Sequence, residues 1–364
     1  MSRILVGMSG GVDSSIAALL LKEQGYDIAG AYIKTWSNEY DVFGDCPANE
    51  DIEYAAAVSK QLGIDFEVVN LVDTYREKVV NYLVEGYRRG ITPNPDIMCN
   101  REIKFGAFLD YALSEGFERV ATGHYCRKIT IKGIEYIAEG IDDNKDQSYF
   151  LAMVQPEQLK HAMFPIGEIR KPEVRKLANA HNLPNAGRKD SQGICFLGKV
   201  KINDFLRNYI TDKPGPIVNL EGQVLGEHRG LHHYTIGQRK GIGIPSNHDF
   251  KAYVVVAKDL ESNELRVAFD EPLTAGLYTT HVLIHSLSHC SRPFIDNPPT
   301  QCRVRYRDPR VGIQSVQEME TGSYRIEFSE PQRALAPGQI LAFYEDELLL
   351  GGAVMVPPGY SEDQ

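Results

Sequence analysis

The sequence predicts an α/β protein: a Rossmann-like, doubly wound and mostly parallel sheet, followed by a small β-rich central domain and a C-terminal β-barrel. Three observations predict it. Strand-like runs at 3–8, 28–34, 66–70 and 120–122 alternate with helix-like runs at 14–24, 50–62, 75–89 and 105–114, the order of consecutive β–α units. A glycine pair, Gly10-Gly11, stands between the first strand and the first helix. Beyond residue 217, helical periodicity gives way to short β runs separated by turn residues.

The opening strand Arg3-Ile4-Leu5-Val6-Gly7-Met8 leads into Ser9-Gly10-Gly11-Val12-Asp13-Ser14-Ser15 and then into the apolar run Ile16-Ala17-Ala18-Leu19-Leu20-Leu21. Adjacent glycines let the backbone approach a ligand and take positive φ. The helix behind them presents free N–H groups and its positive dipole end to an anion. Ser9, Ser14 and Ser15 add hydroxyl donors, and Asp13 is an acceptor suited to Mg²⁺ or to capping the helix. This is a phosphate cradle but not the Walker loop, because no lysine follows the glycines. In 50–62, Ile52, Ala55, Ala56, Ser59 and Leu62 fall on one helical face. Doubly wound sheets bind ligands beyond the carboxyl ends of their strands. Residues 9–13 fall there, as does Gly123-His124-Tyr125.

A hairpin is predicted over 127–138, turning at Lys132-Gly133, then small helices, clearest at 172–180 and 201–209. Pro214-Gly215-Pro216 reads as a linker. Further strands are expected at 252–257, 264–267, 281–286, 302–306, 324–328, 340–344 and 348–356. The expected domains are 1–213, 214–274 and 275–364.

Hydrophobic content of 43% and charged content of 24% are those of a globular protein. No apolar run approaches the ~20 residues of a membrane span, and the start of the chain lacks the layout of a signal peptide. A cytoplasmic location with reduced thiols is expected. The net charge of −10 argues against a nucleic-acid partner, but its distribution does not. Residues 158–213 hold 11 Lys/Arg against 5 Asp/Glu, and 303–310 hold four arginines and one aspartate. Such basic stripes can follow phosphates, although a solvated face would look the same. Of the six cysteines, none forms a Cys-x-x-Cys pair, which leaves a zinc ribbon or thioredoxin-type site little support.

Two cysteines stand in loop-like contexts. In Asn94-Pro95-Asp96-Ile97-Met98-Cys99-Asn100, one helical turn would place Asp96 and Cys99 on the same side, and a cysteine near a helix start is a better nucleophile. In Ser191-Gln192-Gly193-Ile194-Cys195-Phe196, the thiol follows the basic Arg188-Lys189, which would stabilise a thiolate or persulfide. Each alone reads as a buried structural thiol. Together with a phosphate cradle that resembles the PP-loop of ATP pyrophosphatases they fit one logic, in which ATP would turn an oxygen into a leaving group and a sulfur nucleophile would displace it.

These motifs, with Asn144-Lys145-Asp146-Gln147-Ser148-Tyr149-Phe150, Thr235-Ile236-Gly237-Gln238-Arg239-Lys240-Gly241, Arg305-Tyr306 and Pro337-Gly338-Gln339, run in order along the whole chain. The loop resembles the PP-loop of ATP pyrophosphatases, and the full series resembles the bacterial-type tRNA-specific 2-thiouridylases. The resemblance implies that Gly7, Met8, Ser9, Gly10, Gly11, Val12, Asp13 and Ser14, with Ile33 and Gly123, bind ATP. Family members often carry methionine where Ile33 stands. Asp96 would serve as acid or base, Cys99 as nucleophile and Cys195 as persulfide carrier, the two cysteines ending in a transient disulfide. Asn94, Pro95 and Asp96 would meet the target base, and His124, Lys145, Asp146, Gln147, Arg305, Tyr306 and Gln339 the tRNA. Implied with them are Mg²⁺, no metal held by the protein, a persulfide donor protein, tRNAs for Lys, Glu and Gln, no membrane, and a monomer bound to one tRNA.

Read singly, His124 fits a core or capping histidine, Lys145-Asp146-Gln147 a surface turn, and the arginines of 303–307 one solvated strand face. Cys46 receives no catalytic role, and Cys126, Cys290 and Cys302 are expected to be structural. Alternatives left open are a PP-loop amide ligase, an ATP-sensing RNA-binding module without turnover, and an iron–sulfur cluster held by Asp96, Cys99 and Cys195.

Overall fold

A computed structural model describes residues 2–36, 48–189, 200–245, 251–294, 298–319 and 322–357. Its first sheet is parallel. Strands β1 (Arg3–Gly7), β2 (Asp27–Lys34), β3 (Phe66–Asn70), β4 (Arg119–Ala121) and β7 (Ala162–Met163) lie in the order β3-β2-β1-β4-β7. Register is set by apolar pairs such as Ile4↔Ile28 and Leu5↔Val120, and Ile4, Leu5 and Val6 are fully buried, as a sheet covered on both faces requires. The strand order reverses between β1 and β4, so a ligand crevice opens beyond their carboxyl ends.

Helices α1 (Val12–Glu23), α2 (Ala48–Leu62), α3 (Asn81–Arg88), α4 (Pro95–Met98), α5 (Phe108–Ser114), α6 (Lys171–Ala180) and α7 (Ile202–Leu206) complete the framework of this domain. The helix expected over 75–89 is instead a short turn, a π-helical stretch (Arg76–Val80) and α3. The helix expected from 105 begins ten residues earlier, at Pro95, and passes through a π-helical stretch (Cys99–Ala107) before α5. Non-helical backbone at Gly106 marks the irregularity.

The predicted hairpin forms as β5 (Cys126–Ile131) and β6 (Ile134–Glu139), with Lys132 (φ 50°) and Gly133 (φ 82°) turning it. It does not stay with its own sheet. β6 pairs with a strand of the C-terminal barrel through Ala138↔Leu348 and Ile137↔Leu349.

The central module has β8 (Gly215–Val218), β9 (Val224–His228), β10 (Tyr253–Asp259) and β11 (Glu264–Phe269) in the order β10-β11-β8-β9. Pro214-Gly215-Pro216 is therefore no linker: its last two residues open β8. Pro216 is tolerated because β8 pairs with β11 only at Ile217 and Val218, leaving the proline on a stretch paired on one side.

The C-terminal domain comprises β12 (Tyr278–His289), β13 (Gln301–Arg303), β14 (Val311–Glu318), β15 (Tyr324–Arg333), β16 (Ile340–Glu345) and β17 (Leu348–Val356). They run β12-β15-β14-β13-β16-β17, and β12 pairs with β17 to close a six-stranded antiparallel barrel. The strand expected at 302–306 ends at Arg303. One apolar cluster, including Leu5, Phe105, Val120, Leu151, Tyr344 and Leu349, continues from the parallel sheet into the barrel.

The barrel is also seated on the first domain by backbone. The Thr92 N–H donates to the Pro337 carbonyl at 2.7 Å, and Gly338, at φ +91°, lies so close that a Cβ would come within 3.0 Å of three Thr92 backbone atoms. Gly338→Ala should thus combine left-handed backbone strain with a clash against a backbone that cannot yield, costing about 2–4 kcal/mol. Gly322→Ala, at φ +72° with nothing within 4 Å, should cost only the strain, about 1 kcal/mol. Urea midpoints of the two variants check this ordering.

Candidate active site

The glycine turn sits at the carboxyl end of the central strand β1. Gly10 is at φ +75°, and a Cβ there would lie 2.5 Å from the Asp51 carbonyl oxygen, so both conformation and space demand glycine. Gly11 is the N-cap of α1, and its carbonyl accepts from the Ser14 (3.1 Å) and Ser15 (3.0 Å) hydroxyls. Gly123 closes the far side: a Cβ would come within 2.7 Å of the Ser14 backbone nitrogen. Ile33, half-buried, is near the end of the adjacent β2, and Met8 follows β1. The ten residues assigned to ATP by resemblance thus lie at or just beyond the carboxyl ends of β1, β2 and β4.

Sequence reasoning missed the residues that hold this loop from outside it. Asn185, 1% exposed, donates to the Gly10 carbonyl (2.8 Å) and the Ser15 hydroxyl (2.9 Å). Arg188 donates to the same carbonyl at 3.2 Å and to the Asp51 carboxylate at 2.5 Å. Lys171, at the start of α6, donates to both carboxylate oxygens of Asp13, at 2.7 and 2.9 Å. The one available clue was the missing Walker lysine, which implies a cation arriving from elsewhere in the chain.

Asp13 is accordingly not a helix cap. Its Oδ1 also accepts from the Tyr125 hydroxyl at 2.7 Å. With its oxygens engaged by an ammonium and a phenol, it does not fit a protein-held Mg²⁺ site. Both of its partners are placed by one loop. The Tyr125 backbone N–H donates to the Gln147 side chain (3.0 Å), the Gln147 N–H donates back to the Tyr125 carbonyl (2.9 Å), and the Lys171 N–H donates to Asp142 (2.8 Å).

Asp146 anchors that loop. It is 6% exposed, its Oδ1 accepts from the Gly140 and Ser148 N–H groups, each at 3.1 Å, and its Oδ2 meets Arg303 of β13 at 2.9 Å. Arg303 also pairs with Glu139 at 2.7 Å, and Arg310 bonds the same carboxylate. Asp146 and Gln147 are therefore a hub, while Lys145 ends the surface turn 143–145, and Arg303 is no solvated-face residue. His124 is also interior: Thr122 Oγ1 lies 2.7 Å from its Nδ1, and burial, with Lys104 nearby, holds its pKa well below the usual histidine value.

Asn94, Pro95 and Asp96 form a helix start. The Asn94 side chain accepts from the Ile97 N–H at 3.2 Å, and Pro95 occupies the first helical position, where its missing N–H costs nothing. Cys99 follows one turn after Asp96 and is 3% exposed. It belongs to an apolar cluster with Val79, Leu83, Ile103, Phe205 and Leu206, against which Trp36, Val200 and Ile202 pack. Cys195 and Cys46 lie outside the described residues. Cys126, Cys290 and Cys302 are fully buried. Desolvation raises all three thiols, that of Cys302 to about 12, which suits structural rather than reactive roles.

The three domains meet in an open cleft of ≈ 430 Å³ lined by Thr92, Thr235, Ile236, Gly237, Gln238, Arg305, Ala336 and Gln339. Gln339 Nε2 donates to the Thr92 carbonyl at 2.7 Å, and the Thr92 and Thr235 hydroxyls lie 3.3 Å apart. Arg305 bonds the Ala334 carbonyl, and the half-buried Tyr306 ring rests 4.4 Å from that of Phe150. Of the residues assigned to tRNA, Arg305 and Gln339 line this cleft. Asn94 is two residues from its Thr92 wall, whereas His124 and Asp146 are buried beneath the surface.

The fold and site define a nucleotide-binding HUP-type domain carrying two β-structured modules. Family models agree along the chain: "tRNA methyl transferase HUP domain" matches residues 2–199, "tRNA methyl transferase PRC-barrel domain" residues 203–269, and "Aminomethyltransferase beta-barrel domain" residues 279–355. Proteins named tRNA-specific 2-thiouridylase MnmA are similar over almost their full lengths. The one from Akkermansia muciniphila is 52% identical over 97% of this chain and 98% of its own. That from Pseudomonas syringae is 45% identical over 98% and 94%, and that from Streptococcus agalactiae 43% over 100% and 97%. The chain belongs to the tRNA-specific 2-thiouridylase family.

Tyr125→Phe keeps the ring but removes one charge-assisted hydrogen bond to Asp13, a loss of about 1.5–3 kcal/mol. The thermal midpoint should drop by several degrees, and ATP affinity measured by calorimetry should fall at least ~10-fold as the loop loses its fixed geometry. Unchanged affinity would detach Tyr125 from the loop's function.

Proposed function

We propose that this chain thiolates the wobble uridine of tRNA at C2, using ATP to activate the base. Family membership makes it a tRNA sulfurtransferase of the ATP-using PP-loop kind, and the finer chemistry is our reading of the site. The C2 oxygen of uridine 34 attacks the α-phosphate of ATP, giving an adenylated base and pyrophosphate. Mg²⁺ enters as a counter-ion of the nucleotide. Cys195 carries a persulfide received from a donor protein, and its outer sulfur attacks C2. The C2–O bond breaks, AMP leaves, and the Cys99 thiolate takes the Cys195 sulfur, so that 2-thiouridine and a Cys99–Cys195 disulfide remain. Two electrons from an external thiol reductant reopen the disulfide.

The observation that carries this reading is the anchoring of the chain on either side of Cys195. On one side Arg188 bonds the phosphate loop at Gly10, and on the other Val200 packs on the apolar cluster that contains Cys99. Arg188 and Val200, which flank the second thiol in the sequence, thus reach the activation loop and the cluster of the thiol nucleophile respectively. Asp96, one helical turn from Cys99, is positioned to exchange a proton with the base or the thiol.

The remaining assignments follow the cleft. A wobble base must leave its stack to reach an enclosed nucleotide, and the mouth beside Asn94 and Pro95 would admit it. Arg305 and Lys145 suit phosphate contacts and Tyr306 a stacking contact. Gln339 would hold the Thr92 wall, while His124, Asp146 and Gln147 would shape the surface from within. The substrates we propose are the tRNAs for Lys, Glu and Gln, bound by a monomer in the cytoplasm. No helix among the described residues is long and apolar enough to cross a membrane.

The methyl transfer named in the family models has no evident place in this scheme, because the cradle is built for a phosphate chain. Nucleoside mass spectrometry of tRNA incubated with ATP and a persulfide source tests the proposal. Cys99→Ser and Cys195→Ser should each lower 2-thiouridine by roughly 1,000-fold or more while tRNA-dependent pyrophosphate release continues. Normal thiolation by either variant would refute the mechanism.

A further inference from the structure

The central module contains a cluster that neither the phosphate loop, the cysteines nor the cleft employs. Asp212, His232 and His233 bring one carboxylate oxygen and two imidazole nitrogens within 4.8 Å of one another. Asp212 follows α7 in the chain, and the two histidines lie in the short turn Leu231–His233 that enters Tyr234-Thr235. Both histidines are 6% exposed. Gly230 makes room for them, since a Cβ there would meet His232 Cε1 at 2.7 Å.

The hydrogen bonding of the cluster is incomplete. His233 Nε2 is 2.6 Å from Asp212 Oδ1, a strong hydrogen bond. His232 Nε2 is 3.2 Å from the same oxygen, within charge-pairing distance, and is buried without another partner. His233 Nδ1 is likewise buried and unbonded. An orphaned buried nitrogen costs about 1–3 kcal/mol. A carboxylate oxygen and two imidazole nitrogens converging on one point are the donor set of a borderline divalent cation, and with three protein ligands Zn²⁺ keeps a fourth position for water.

The neighbouring cations do not block such a site. Arg207 Nε faces the other carboxylate oxygen, Oδ2, at 3.8 Å. Lys258 Nζ donates to the Tyr234 carbonyl at 3.1 Å.

We propose that Asp212, His232 and His233 bind one Zn²⁺ through Asp212 Oδ1 and the two Nε2 atoms. The ion clips the stretch of chain that follows α7 to the turn that carries Thr235–Gln238, one wall of the cleft. Binding moves the proton of His233 from Nε2 to Nδ1, so that the neutral ring ligates through Nε2, and ligand atoms about 2.0 Å from a tetrahedral ion stand about 3.3 Å apart, so the His233 ring withdraws slightly from the carboxylate.

Calorimetric titration of the full chain with Zn²⁺, after chelator treatment and dialysis, tests the site, with Co²⁺ as a spectroscopic probe. The protein carrying Cys99→Ser and Cys195→Ser is used in parallel to separate this site from the thiols. Both proteins should bind one ion per chain and give the visible bands of tetrahedral Co²⁺. His232→Gln and Asp212→Asn, checked for native thermal unfolding, should each weaken binding by more than the roughly 10–100-fold that loss of an outer-sphere partner produces. No binding by wild type, equal binding by the two variants, or binding lost on replacing the cysteines would overturn the proposal.

Discussion

A phosphate loop that lacks its own lysine must receive its charge from another part of the chain, and this protein is arranged around that requirement. Lys171 supplies the cation to Asp13 from a separate helix, and the Tyr125 hydroxyl fixes the same carboxylate. An ion pair whose carboxylate is partly open to water holds one geometry only if its orientation is imposed from outside. Here the loop 142–147 imposes it, bonding the Lys171 backbone through Asp142 and the Tyr125 backbone through Gln147. The loop is fixed in turn by Asp146, whose carboxylate oxygens receive two backbone N–H groups and the Arg303 guanidinium.

That last contact crosses into the barrel. Arg303 lies on β13, two residues before Arg305 in the cleft wall, so a connected path runs from the cleft to the glycine turn and α1, where we propose that phosphate binds. The hairpin β5–β6 adds a second tie through its pairing with β17, and the shared apolar cluster a third. Buried charge pairs such as Arg303–Asp146–Glu139 contribute little net stability, but they penalise any seating that leaves one charge alone. The result is one preferred geometry for the walls of a cleft built from three separate stretches of chain.

What could be read from the sequence was local. The glycine turn, the parallel alternation and the hairpin at Lys132-Gly133 each depend on residues a few positions apart, and each appears in the structure. Asp96 and Cys99 share a helical turn because Asn94 and Pro95 are strong helix starters. What could not be read depends on distance along the chain. Lys171, Asn185 and Arg188 lie more than 150 residues beyond the loop they hold, in helices and turns of unremarkable pattern. The arginines of 303–307 alternate like an exposed strand, yet the strand stops at Arg303, and they divide into an internal anchor (Arg303), a cleft-lining residue (Arg305) and an exposed one (Arg307). Pro216 hid a strand because one-sided pairing removes the usual objection to proline.

The central claim is that the Asp13 cradle and the barrel form one coupled unit through Tyr125, Gln147, Asp146 and Arg303. A double-mutant cycle between Tyr125→Phe and Arg303→Lys, read as the ATP dissociation constant in the presence of tRNA, tests it most directly. Coupled sites should depart from additivity by about 1 kcal/mol or more. Additive effects, within about 0.3–0.5 kcal/mol, would contradict the account and leave two independent structural contacts in place of a path.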